Sequence, residues 1–152
     1  MPFPEFDFCL ICEGARPEMG NKLTILGFYG MSPNVEIVLG NTAMPVTVAC
    51  VAGFPPVPDL RPVYEHSIVV NKPDDSVLLR TPASRLNAGA PGGRGLLVFG
   101  FVIAPPYAFG SYSIRIMVNN ESKLRASFRL RPANPAELAG IVQPPPTGGR
   151  PN

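Results

Sequence analysis

The chain has 152 residues, 45% of them hydrophobic and 16% charged, with a formal net charge of +2 at pH 7. That length suits one domain with a substantial core, and so small a positive balance argues against nucleic acid as a partner. Twenty prolines and fifteen glycines exclude a helical bundle and favour short strands joined by turns.

Residues 1–5 read as an N-terminal arm, 6–131 as a β-sandwich domain, and 132–152 as a short helix with a Pro/Gly-rich tail. The opening Met1-Pro2-Phe3-Pro4-Glu5-Phe6-Asp7-Phe8 has no basic stretch ahead of an apolar run, so no secretory signal is expected. Phe6–Glu13 and Lys22–Gly30 read as the first two strands, with a turn over Arg16–Asn21, and Val35–Leu39 and Val46–Ala52 follow. Pro55, Pro56, Pro58 and Pro62 make the next stretch a loop or an edge crossing, because proline donates no ladder hydrogen bond. Tyr64–Asn71 and Ser76–Arg80 form a hairpin around Lys72-Pro73-Asp74-Asp75. Asn87–Gly95 is a mobile, Gly-rich loop, and Leu96–Ala104 is the most apolar strand. The apolar run from Leu96 to Phe109 is too short to span a bilayer and is broken by Gly100 and Pro105-Pro106.

Two further runs carry the strongest pattern. Tyr112, Ile114, Ile116 and Val118 alternate with Ser113, Arg115 and Met117; Leu124, Ala126, Phe128 and Leu130 alternate with Lys123, Arg125, Ser127, Arg129 and Arg131. A period of two describes strands with one face on a core and one in water. Keeping both inward sets on one face requires an odd loop of three or five residues and places Arg115 opposite Arg125 on the outer face. Gly110-Ser111-Tyr112 resembles the tyrosine corner of immunoglobulin-like sandwiches, in which a Tyr hydroxyl ties a strand to the preceding turn. The expected fold is therefore all-β: an antiparallel, immunoglobulin-like β-sandwich of about eight strands. Asn134-Pro135-Ala136-Glu137 then supplies an N-cap, a Pro at the first helical position and an early Glu. Leu138, Ile141 and Val142 give the short helix an apolar side, and the tail from Gln143 is Pro/Gly-rich.

The stretch from Phe8-Cys9-Leu10-Ile11-Cys12-Glu13-Gly14-Ala15-Arg16-Pro17-Glu18 through Gly20-Asn21-Lys22-Leu23-Thr24-Ile25-Leu26-Gly27 resembles the opening of a bacterial family known only as a domain of unknown function. That family pattern has a hydrophobic strand, a Cys or Asp pair, an Arg-x-Glu and then Gly-Lys-Leu-x-x-x-Gly; here Asn21 stands before Lys22 where Gly is usual, and no Asp follows Cys9. The resemblance implies a bacterial, immunoglobulin-like sandwich and no particular activity.

Few residues suit chemistry. Cys9 and Cys12 have a metal or redox spacing, but a separation of three on a strand turns their side chains to opposite faces. Cys50 is the remaining thiol, and all three are expected to be reduced and structural, as in a cytoplasm. His66, the lone histidine, shares the strand phase of Tyr64, Ile68 and Val70 and reads as a core-edge residue; no Gly-x-Ser-x-Gly elbow accompanies it. Asp74 and Asp75 read as turn residues, and the Gly-rich loop lacks the Lys-Ser/Thr of a phosphate loop. No catalytic residue, cofactor or metal site is expected.

Two surfaces stand out instead. Arg115, Lys123, Arg125, Arg129 and Arg131 project from one face of the last hairpin, a solvated face or a patch for a small anionic ligand. Leu26 and Phe28 in the second strand, and Leu96, Val98 and Val102 in the most apolar one, make both faces of those strands apolar. Antiparallel strands apolar on both sides need a second cover, from the tail helix or a neighbouring subunit. The expectation is a non-enzymatic, cytoplasmic self-assembly or protein-binding subunit, with an anion-binding module as the alternative and no membrane partner.

Overall fold

The computed structural model describes residues 3–19, 22–57, 63–87 and 92–142, with residues 141 and 142 described by backbone alone. The expected tail and the Gly20-Asn21 turn lie outside the described residues, as do parts of the Pro-rich and Gly-rich loops. Among the described residues there are ten strands and one helix: β1 (Phe8–Glu18), β2 (Lys22–Met31), β3 (Glu36–Leu39), β4 (Val46–Phe54), β5 (Glu65–Asn71), β6 (Val77–Arg80), β7 (Ser84–Arg85), β8 (Gly95–Ile103), β9 (Gly110–Val118), β10 (Glu121–Pro132) and α1 (Pro135–Val142).

Two sheets form a β-sandwich. The first has the order β2-β1-β4-β8; the second runs β3-β10-β9-β5-β6, with β7 also pairing β5. Alternation drives the arrangement, since inward side chains of both sheets share one core. Cys9, Ile11, Val48, Cys50, Phe54, Leu97 and Phe101 meet Ile37, Ile68, Val70, Ile114, Ile116, Phe128 and Leu130 there. The second sheet is mixed rather than wholly antiparallel, because β3 runs parallel to the end of β10, pairing Glu36 with Arg129 and Leu39 with Pro132.

From Phe3 onward the expected arm is packed on the fold. Phe3 and Phe6 are buried, and Phe3 packs against Phe54 and Tyr64 at centroid separations of 5.0 and 5.1 Å. β1 runs on into the expected turn, as far as Glu18. It can include Pro17 because β4 pairs only with Phe8–Cys12, so the missing N–H faces no strand on that side. β7, a two-residue strand held by Leu86 N–H donating to Tyr64 O, is too short to leave a periodic trace in sequence.

The last hairpin keeps its two inward sets by a different device from an odd loop. Val118 pairs with Glu121, leaving the two-residue turn Asn119-Asn120 with φ of 49° and 66°. The odd residue is Lys123, bulged between Ser122 and Leu124, which restores the phase so that Arg125 faces Arg115. Asn119 also ties the tip to β5, its N–H donating to Glu65 O at 2.9 Å and its Oδ1 accepting from Glu65 N at 3.0 Å.

Candidate interaction surfaces

The inward positions carry structural groups. Tyr112 is buried, stacked on Phe128 at 5.1 Å, and its hydroxyl donates to Ala108 O at 2.7 Å. Cys9 and Cys50 lie in the inter-sheet core, whereas Cys12 is buried outside it beneath the outer face of the first sheet. Hydrogen bonding to Cys9, together with burial, holds the Cys50 thiol well above its ordinary pKa, which suits inert packing. Cys12 Sγ lies 3.5 Å from Ala49 O and 3.3 Å from Gly14 O, with burial pushing its pKa up. His66 Nδ1 is buried with no hydrogen-bond partner among the described residues. Asp74 Oδ1 accepts from the Ser76 N–H at 3.0 Å and from its hydroxyl at 2.6 Å, and these bonds lower its pKa. Among the described residues no group of three or more His, Cys, Asp or Glu is placed to hold a metal ion.

The five basic residues of the hairpin do not act together. Lys123, displaced by the bulge, is 11% exposed in its side chain and bridges Glu121 at 2.9 Å and Glu5 at 3.6 Å. The bond to Glu121 is the main cause of its raised pKa. Arg131 pairs with Glu36 and, through two nitrogens, with Glu137 at 2.7 and 2.8 Å, so its charge is countered. Among the described residues Arg115, Arg125 and Arg129 form no ion pair. The register adds a residue that the hairpin alone does not reveal. Arg125 faces Arg115, Arg115 faces Val69, and Val69 faces Arg80, so three arginines and one buried valine form a row across β10, β9, β5 and β6. The flanking pairs Asn71–Ser113 and Ser113–Ser127 bring no carboxylate to that row.

The opposite outer face, on the first sheet, has another character. Leu10 faces Met31 and Val51, and Val51 faces Val98; Cys12 faces Phe28 and Ala49. Leu26 faces Gly14, and Val102 faces Thr47. Leu26, Phe28 and Val102 are 54, 61 and 57% exposed, with Met31, Leu96 and Val98 also in contact with solvent. These rows contain no charged residue, and charge appears only at the distal β1–β2 end with Arg16, Glu18 and Lys22. α1 does not provide the cover. Its capping Asn134 and Glu137 exchange hydrogen bonds of 2.9 and 2.7 Å, and Arg131 fastens Glu137 to β10, on the other sheet.

No family model and no curated protein matches the chain. Among solved structures it is similar to Pseudomonas fluorescens alkylpurine DNA glycosylase AlkC bound to DNA containing an abasic site analog, with 16% identity and a TM-score of 0.40. The match covers 66% of this chain and 28% of that one. No described helix is long and apolar enough to cross a membrane.

Proposed function

We propose that the protein is a non-enzymatic self-assembly subunit, an immunoglobulin-like β-sandwich of the bacterial cytoplasm, whose contact surface is the outer face of the four-stranded sheet. The observation that carries this reading is the uncharged patch spanning β2, β1, β4 and β8, where exposed Leu26, Phe28, Met31, Val98 and Val102 surround the already buried Val51 and Ala49. A second copy is the occupant favoured by charge. Laying this face on itself buries no ion, whereas the arginine row of the other face repels its own image. The buried, unbridged cysteines support a reducing compartment.

Light scattering on the purified chain tests this, comparing wild type with Leu26→Asp and Phe28→Asp. The variants are expected to run as smaller species with unchanged β-rich circular dichroism. A wild-type monomer at high concentration, or variants of unaltered size, overturns the proposal. The arginine row favours a second reading, an oxyanion-binding face in which neighbouring guanidinium groups share one ligand. It predicts salt-sensitive binding of inorganic polyphosphate that Arg115→Ala and Arg125→Ala each weaken; binding unaffected by either variant removes it.

A further inference from the structure

Sheet edges are where strand pairing with another chain begins, and folded proteins shorten, charge, bend or cover them. In the second sheet one edge is β3, four residues long and carrying Glu36; the other is shared by four-residue β6, which ends on Arg80, and two-residue β7, which carries Arg85. In the first sheet β2 begins on Lys22, its pairing with β1 is interrupted by a bulge, and Gly27 and Gly30 have φ of 57° and 155°. Each of these three edges is thus protected by length, charge or distortion.

β8 has no such protection. Its nine residues, Gly95-Leu96-Leu97-Val98-Phe99-Gly100-Phe101-Val102-Ile103, include no charge and no proline. They pair with β4 in unbroken register, from Val46 opposite Ile103 to Phe54 opposite Gly95. Alternate residues therefore turn their N–H and C=O groups away from β4. Among the described residues no backbone hydrogen bond outside the ladder reaches this strand.

We propose that β8 is a pairing edge, joining two copies of the chain as antiparallel neighbours about a two-fold axis; this rests on the self-association reading and adds a second contact, separate from the outer face. Only the register centred on Phe99 pairs all nine residues. In that register inward Leu97 meets Phe101 of the partner subunit, so both inward sets stay inward. On the outer face Leu96 meets Val102 of the partner subunit, and branched Val98 meets Gly100 of the partner subunit, the position without a side chain. The two four-stranded sheets become one of eight, the uncharged outer face becomes continuous across the axis, and the contact closes on itself instead of propagating. An edge that pairs with its own copy needs no charge to repel strangers, because pairing consumes it.

The test is site-specific cross-linking of the full chain. Val98→Cys and Gly100→Cys proteins are mixed and exposed to oxidised glutathione, and disulfides are mapped by mass spectrometry. A side-chain atom at position 100 would sit 3.5 Å from Val48 O, ordinary contact, so that substitution fits. The mixture is expected to form the disulfide between positions 98 and 100, and neither protein alone to do so, since like positions are offset in this register. The native thiols are buried and do not compete. Oligomers without the 98–100 disulfide overturn the edge pairing and leave the face-to-face reading standing. The disulfide formed equally well with Phe28→Asp in both partners supports the edge independently of the face. A monomeric wild type overturns both.

Discussion

At Tyr112 a single hydroxyl links strand to turn: the ring stacks on Phe128 while the O–H reaches back to Ala108 O. Tyr112→Phe keeps the stack and removes the bond, so urea denaturation is expected to show a loss of about 1 kcal/mol, the ordinary net worth of one hydrogen bond. Glu137 has the opposite accessibility, half-exposed yet strongly held. The Arg131 guanidinium first, and the Asn134 N–H second, pull its pKa from 4.5 down to about 2. A depressed carboxylate pKa means that the folded state binds its proton later than the unfolded chain does. The stability contributed by this cap is therefore complete above about 4.5 and lost as pH falls toward about 2. The protection factors of the Asn134 and Glu137 amides, taken relative to the unfolded-chain exchange rate at each pH, should fall across that window in wild type, and Glu137→Gln should abolish this part of the pH dependence.

Among elements, the β9–β10 hairpin separates what a sequence states from what it omits. Inward residues of both strands, the Arg115–Arg125 pairing and the Asn134 cap are written in period and residue type, and they stand in the structure. Parity alone, however, cannot distinguish an odd loop from an even loop followed by a bulge, because both shift the phase by one residue. The left-handed φ of Asn119 and Asn120 and the bulged Lys123 are the solution found here. Asn120→Gly is expected to raise the melting temperature slightly and Asn120→Val to lower it, since left-handed backbone costs a β-branched residue about 1 kcal/mol or more. Arg80 was invisible as a surface partner of Arg115 for a related reason. Strand order, which decides the outer-face row, is set by long-range packing and leaves no local periodicity. The apolar candidates Leu26, Phe28, Leu96, Val98 and Val102 were readable because double-sided apolarity is local to each strand.

At the scale of the whole molecule, Phe3 and Phe6 belong to the fold. Phe3 and Phe6 form an aromatic cluster with Phe54 and Tyr64 at one end of the sandwich. Phe3→Ala is expected to cost about 3 kcal/mol or more, the usual loss for a buried aromatic, visible as a lower urea midpoint. Removal of the first six residues should destabilise the domain rather than merely trim it. The parallel pairing of β3 with β10 has a further consequence for how the molecule comes into being. Glu36 and Arg131 stand 95 positions apart, so β3 must wait for almost the whole chain before its neighbour exists. During synthesis from the amino end, the ribosome would release β1, β2 and β4 with their apolar sides bare until the last hairpin emerges. The sandwich is thus completed only once β10 is available, and chaperone occupancy of nascent chains should persist until β10 has cleared the exit tunnel.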